Sequence, residues 1–364
     1  METNRYDVVV VGAGIAGLTA AGAAADRKLK VALVSTGPGS FVTGPGWLKA
    51  QEILRFSAAP ELSESIAFFC EMARLAGCPF GGDISASRSL PSLLGDFQRV
   101  AFAPLPLWNA EPRDGVSTAI VGIRGLSSFD ENFMAELLSE RARAMSSGCI
   151  YTARKISFAR DLGIPATTLR IAQCFDRDAG FRAELVDALR LAASGFERVL
   201  VPGILGLDSS AEQIAHFEGE LGCSIGEIYT LPPCIPGLRI FHRLESYLHN
   251  IGVELFRGFP VEKLEIHDGP GIGLRIASPG HPLNLRCDSV VLATGRRSAS
   301  LLGGAYAGHD QQMRPLTSAG SVMAPNLFVA GSLLDGDDGE VPHILTGFRA
   351  GKLAASTKGS YAAR

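Results

Sequence analysis

Apolar positions along the chain fall into short unbroken runs separated by stretches of helical spacing. Residues 6–11 (Tyr-Asp-Val-Val-Val-Val) and 30–35 (Lys-Val-Ala-Leu-Val-Ser) are β-branched runs of the kind that form strands buried on both faces of a parallel sheet. Between them, residues 18–28 are Ala-rich and helix-prone. The alternation resumes at residue 117, with strands at 117–123, 150–158, 198–202 and 224–230 and helices at 130–146, 181–194 and 211–221. A helix follows Arg239, with Ile240, Leu244, Tyr247, Leu248 and Ile251 on one face. Residues 252–256 and 261–266 are strand-like, and an antiparallel pair is expected across residues 269–273. Two late strands, 287–292 and 326–329, end in small-residue turns, and a helix-prone stretch at 344–355 carries Gly347 and Gly351 four apart for close packing. Residues 48–110 mix short helical patterns with proline-rich pieces and show no chemistry. The pattern as a whole is that of an α/β protein.

The turn between the first strand and helix reads Gly12-Ala13-Gly14-Ile15-Ala16-Gly17. Within a strand, turn, helix, strand unit of about 30 residues, GxGxxG is the dinucleotide-binding fingerprint. Gly12 permits the tight turn, Gly14 lets a pyrophosphate approach the backbone, and Gly17 lets the helix pack on the strand. The helix N-terminus then faces the negative charge. The second strand ends in Ser35-Thr36, where an acid usually holds a ribose hydroxyl, so a neutral hydroxyl takes that place. Residues 36–47, rich in Gly, Pro and Ser and including Gly44, form a loop placed to pack against a cofactor.

Composition narrows the class. The chain has 364 residues, 46% of them hydrophobic and 20% charged, enough to build about two domains and too apolar for a disordered chain. A net charge of −3 argues against binding to a nucleic-acid backbone. The 42 glycines, with no repeat period, point to many tight backbone positions. Seven scattered cysteines without a CxxC pair suit reduced, buried thiols and supply neither a metal site nor an iron–sulfur cradle. Residues 8–25 carry no charge, but the adjoining Asp7 and four internal glycines mark them as strand, turn and helix rather than a signal peptide or membrane span.

Gly12, Gly14 and Gly17, the later Ala293-Thr294-Gly295, and Asn326 to Gly331 before a last helix occur in an order that resembles the two-dinucleotide-binding-domain flavoproteins. A narrower resemblance rests on Ile120 to Leu126, Ile171 to Asp176, the Thr230-Leu231-Pro232-Pro233 run that ends in Gly237-Leu238-Arg239, and Asn326 to Leu333. These look like the B subunit of anaerobic sn-glycerol-3-phosphate dehydrogenase, and Ser35-Thr36 in place of an acid matches that family.

The resemblance implies a Rossmann-like flavin-binding domain built from both chain ends, residues 1–50 and 245–364, with an α/β substrate or partner domain of residues 51–244 inserted. It also implies FAD or FMN, a partner catalytic subunit carrying FAD, and an iron–sulfur subunit that passes electrons toward the quinone pool. The expected place is the cytoplasm, with contact to the inner membrane face only through those partners. In such flavoproteins the backbone of Val261 meets the adenine, and Gly331-Ser332 approaches the flavin side, Ser332 standing where an acid is usual. Ala13, Ala16, Leu345 and Thr346 complete the expected cofactor-facing set.

The implied reaction is oxidation of glycerol 3-phosphate or a similar small alcohol. His343 is the preferred base, because it precedes the helix expected beneath the flavin and imidazole suits such proton transfer; the bland alternative is a packing histidine. Glu340 is a second candidate, and Asp335, Asp337 and Asp338 read as a solvated acidic loop. Arg239 is either a solvated cation or an anion site for substrate, and Arg124 and Arg349 stand behind it. Arg296 and Arg297, directly after Gly295, are placed to neutralise cofactor phosphate. The competing function is a non-catalytic flavoprotein that relays electrons within, or scaffolds, a dehydrogenase complex.

Overall fold

The computed structural model describes residues 4–158, 165–266, 271–295, 301–303, 306–335 and 339–357. It has the α/β class expected from the pattern, with two compact units. One comprises residues 1–40, 55–72 and 244–364, and the other residues 41–54 and 73–243.

The first unit is built on strand β1 (Asn4–Val11), helix α1 (Ile15–Ala25) and strand β2 (Val31–Ser35). β1 pairs in parallel with β2, Val9 opposite Ala32, and on its other side with Leu283–Leu292, Val9 opposite Val290. Glu254–Arg257 adds a further parallel strand outside β2, and Leu327–Val329 pairs in parallel with the end of Leu283–Leu292. The other half of that long strand turns antiparallel, pairing with Ile272–Ile276, which pairs in turn with Val261–Ile266. Val9, Val34, Val290 and Leu327 are buried, which explains their unbroken apolar runs: a strand covered on both faces has no polar side.

Helix α1 is buried nearly all round, from Ile15 to Ala24. Such a helix needs partners on several sides. The helix Glu340–Ser356 supplies one through its glycines: a Cβ at Gly347 would stand 2.3 Å from the Ala16 carbonyl oxygen, and one at Gly351 would stand 2.5 Å from that of Ala20. Leu62–Leu75 supplies another, with the Phe68 ring tilted against that of Phe348 and Met72 over Gly22. This explains why residues 55–72 group with the first unit, although their place in the chain suggests the insertion. Gly351→Ala is expected to lower stability by about 1–3 kcal/mol, because the new methyl meets backbone that cannot rotate away; a thermal unfolding midpoint that does not fall would refute this.

The second unit contains a four-stranded parallel sheet in the order Ser224–Ile228, Arg198–Pro202, Ser117–Ile123, Ile150–Ile156. Four of its helices are capped by a side chain at the N-terminus: Asp130, Thr167, Asp178 and Ser210 each accept first-turn amides. The helix Thr168–Arg177 was not expected; Thr167 caps it and Asp178 starts the next helix at once, so two helices abut where the pattern showed one. Leu48–Lys49, Phe80–Gly82, Arg88–Pro91 and Phe97–Pro104 form a small antiparallel sheet, also unexpected. Three of its strands are only two to four residues long, and two of them pair with Phe97–Pro104 from twenty or more residues away. Because Leu48–Lys49 joins this sheet, residues 41–54 fall in the second unit rather than with the N-terminal strand. The Pro232–Pro233 peptide is cis. No described helix is long and apolar enough to cross a membrane.

Candidate flavin cradle and proton-acceptor site

Each glycine of the fingerprint has a separate physical cause. Gly12 has φ +108°, and a Cβ there would sit 2.4 Å from the Ala293 carbonyl oxygen. Its amide donates to the Val34 carbonyl at 2.7 Å, closing the turn. A Cβ at Gly17 would sit 1.8 Å from the Gly12 carbonyl oxygen, so α1 can lie on the turn only with glycine there. Gly14 is different. Its φ of −71° is open to any residue, and a Cβ there would meet nothing within 4 Å. Neither backbone strain nor packing within the chain requires glycine 14, and the space before its backbone is open.

Gly14 is also the N-cap of α1, with no side-chain cap and no acid in the first turn. The first-turn amides are thus left to an outside acceptor, unlike those of the four self-capped helices of the second unit. A phosphate suits such a place. The residues present therefore fit the pyrophosphate side of a dinucleotide. Gly39 lies beside the cradle, its missing Cβ directed 3.3 Å from the Gly14 Cα, within the Gly-, Pro- and Ser-rich loop 36–47.

Ala293 and Gly331 reach the same turn from the neighbouring strands. The Ala293 amide donates to the Val11 carbonyl at 2.8 Å, and that of Ala330 to the Leu292 carbonyl at 2.9 Å. Gly295 has φ +63° and its missing Cβ faces the Ser332 hydroxyl at 3.9 Å. At Gly331, φ is +74°, and a Cβ would stand 3.2 Å from that of Ala16 and 3.8 Å from Cδ2 of His343. The Gly331 amide donates to Thr346 Oγ1 at 3.0 Å, which donates to the Pro342 carbonyl at 2.7 Å. Ser332 Oγ lies 3.2 Å from His343 Nε2. Gly12, Ala13, Gly14, Ala16, Gly17, Ala293, Thr294, Gly295, Gly331, Ser332, His343 and Thr346 thus converge around one turn.

The remaining expected residues are placed less uniformly. Ser35 is buried at the end of β2 and Thr36 is exposed just beyond it. The amides of Gly258 and Phe259 donate to the Ser35 carbonyl at 2.7 and 3.2 Å. Val261, two residues on, is half-buried and pairs with Ile276. Leu345 is half-buried on the last helix, and Glu340 opens it. Gly44 falls in the second unit, where its carbonyl lies 2.1 Å from the place of a Gly237 Cβ. Arg296, Arg297, Asp337 and Asp338 lie outside the described residues.

Arg239 departs from both expectations for it. It is 3% exposed and neither solvated nor presented to an anion. Its Nη1 and Nη2 fork onto Glu227 at 2.7 and 2.9 Å, and Nε donates to the Gly206 carbonyl at 2.8 Å. Burial opposes its charge, but the Glu227 carboxylate more than compensates and holds its pKa above the ordinary value. Glu227 Oε1 also accepts the amides of Ile204 and Leu205, so the pair anchors the loop after Arg198–Pro202. A lone acid inside the apolar run Ser224–Ile228 is the signal that could have revealed it. Arg349 pairs with Glu61 at 3.6 Å and donates to the Gln311 carbonyl, and Arg124 is exposed in the second unit. Burial pushes the thiols of Cys70, Cys78 and Cys234 up to about 12, so these cysteines are inert packing groups.

Comparison with known proteins agrees with the glycine turn. Residues 7–52 match the FAD binding domain family. The B subunit of the anaerobic glycerol-3-phosphate dehydrogenase of Pectobacterium carotovorum subsp. carotovorum (strain PC1) is 29% identical over 279 residues, covering 68% of this chain and 65%, just under two thirds, of that one. The probable B subunit of the anaerobic glycerol-3-phosphate dehydrogenase of Halobacterium salinarum (strain ATCC 29341 / DSM 671 / R1) is 25% identical over 425 residues, covering 96% and 97%. Among solved structures, a geranylgeranyl bacteriochlorophyll reductase-like protein from Thermoplasma acidophilum aligns over 99% of this chain and 80% of its own, at 12% identity and a TM-score of 0.41. The chain is thus similar over most of its length to the B subunits of anaerobic glycerol-3-phosphate dehydrogenases, and its opening strand, turn and helix match the FAD binding domain family.

Proposed function

We propose that this chain is a flavin-dependent dehydrogenase subunit that oxidises sn-glycerol 3-phosphate or a similar small alcohol. The observation that carries the reading is His343, held against Ser332 and Gly331 directly beside the glycine cradle. A bound flavin supplies the acceptor for the two electrons that leave the carbinol carbon with its hydrogen. The chain's own task is to take the hydroxyl proton as the carbonyl forms, and an imidazole is the described group suited to it. The amides around Gly14 hold the pyrophosphate, and Ser35, Thr36 and the Val261 backbone serve the adenosine half if the flavin is FAD. The name shared by the relatives supports work within an assembly. The proposed partners are a catalytic FAD subunit and an iron–sulfur subunit leading to the quinone pool, with any membrane contact made through them.

Anaerobic mixing of the flavin-loaded chain with sn-glycerol 3-phosphate tests the reading. The visible flavin absorbance is expected to bleach; a spectrum unchanged by substrate but bleached by dithionite favours the electron-relay or scaffold alternative. His343→Gln is expected to slow the substrate-driven bleaching by about 10²–10⁴-fold, with flavin content unchanged. Equal rates would remove His343 as proton acceptor.

A further inference from the structure

Two buried arginines of the second unit differ in one respect. Arg239 has the Glu227 carboxylate, whereas Arg198, 1% exposed, meets no carboxylate among the described residues. Its guanidinium is held by neutral oxygens instead. Nη1 donates to the carbonyls of Asn109 and Glu111 at 3.0 and 2.5 Å, and Nε and Nη2 donate to Thr118 Oγ1 at 3.3 and 3.0 Å. The second hydrogen of Nη2 is left without an acceptor among the described residues. Neighbouring acids are committed elsewhere: the Glu111 carboxylate pairs with Arg88 at 2.7 Å, and that of Glu197 accepts the Ser117 amide at 3.1 Å. Burial accordingly holds the Arg198 pKa below its ordinary value, the reverse of Arg239.

Tyr151 carries a second unmatched donor. Thr118 stands opposite Tyr151 on one neighbouring strand and opposite Arg198 on the other, so the three side chains share one face of the parallel sheet. The guanidinium reaches along this row to Thr118, which turns it toward Tyr151. The phenol oxygen is buried and has no hydrogen-bond partner among the described residues. Burial, with the Cys149 thiol, pushes the phenol pKa up, and the Arg198 charge acts against that rise. The phenol therefore stays protonated, a donor to be satisfied and not a counter-charge. A buried cation without a counter-charge and a buried donor without an acceptor each cost stability, and one anion relieves both.

We infer that Tyr151 and Arg198 bind a small monovalent inorganic anion of chloride size, seated between the Tyr151 hydroxyl and the unshared Nη2 hydrogen at the N-terminal end of this sheet. A single negative charge matches the single uncompensated guanidinium. Phosphate or sulfate would bring further charge and more oxygens than these two donors serve. The ion is a structural ligand of the second unit, and its binding needs neither flavin nor substrate.

Thermal unfolding of the full chain, with sodium chloride exchanged for sodium gluconate at constant ionic strength, tests the site. The midpoint is expected to rise by about 5 °C as chloride replaces gluconate up to roughly a hundredfold excess over its dissociation constant. Tyr151→Phe removes one hydrogen bond to a charged acceptor, so its chloride titration should move to about ten- to a hundredfold higher concentration. Arg198→Met should lose the response altogether, and Tyr151→Phe decides the matter by itself if that variant does not fold. In crystals grown with bromide, an anomalous peak is expected within hydrogen-bonding distance of Tyr151 Oη and Arg198 Nη2. A midpoint indifferent to chloride overturns the inference, as does a response that Tyr151→Phe leaves in place. Density at that position without a bromide signal identifies a water and overturns it equally.

Discussion

Gly14→Val is expected to yield a folded protein that has lost its flavin. The backbone at Gly14 accepts a side chain without strain, and a Cβ meets nothing within 4 Å, so the cost to stability should stay within about 1 kcal/mol, that of a poorer N-cap. The added isopropyl group instead fills the space that a pyrophosphate needs. Loss of two amide contacts to a charged acceptor, at about 1.5–3 kcal/mol each, weakens binding by roughly a hundredfold or more. The informative control is Gly17→Val, whose Cβ would stand 1.8 Å from the Gly12 carbonyl oxygen and which should therefore fail to fold. Melting curves and released-flavin absorbance on both variants check the pair. A folded Gly14→Val protein with its full flavin complement would sink the cradle.

Removal of Glu227 should destabilise the fold strongly. Arg239 and Glu227 have side chains 4% and 0% exposed, so Glu227→Ala leaves a buried guanidinium without its counter-charge, at about 3–5 kcal/mol. Glu227→Gln keeps an oxygen for the Ile204 and Leu205 amides and should lose less. The double replacement Glu227→Leu with Arg239→Met removes both charges but orphans those two amides. It should recover part of the loss and not all of it. Urea unfolding of the three variants checks this order. A Glu227→Ala loss below about 1 kcal/mol, the range of exposed pairs, would show that the two groups do not depend on each other.

Gly14 and Arg239 illustrate what is legible before the fold is known. Gly12, Gly14 and Gly17 announce themselves through their spacing within a local strand, turn and helix, although the neighbour that excludes a side chain at Gly12, Ala293, lies far along the chain. Arg239 is visible as a cation near a helix start, but its partner Glu227 lies twelve residues away in a parallel strand. Nothing in local pattern says that these two charges neutralise each other. The small antiparallel sheet around Phe97–Pro104 is illegible for a related reason: Leu48–Lys49 and Phe80–Gly82 are two and three residues long and pair with it over distance.

The α/β class, the order of the buried parallel strands and the glycine turn could all be read from residue order, since a strand covered on both faces and a helix resting on a turn each impose their pattern locally. Three other features needed the folded chain: residues 55–72 pack with the first unit, Arg239 is a structural ion pair, and Ser332 meets His343. They depend on which surfaces close upon one another, through glycine contacts such as Gly347 on Ala16 that are specified by shape rather than by pattern.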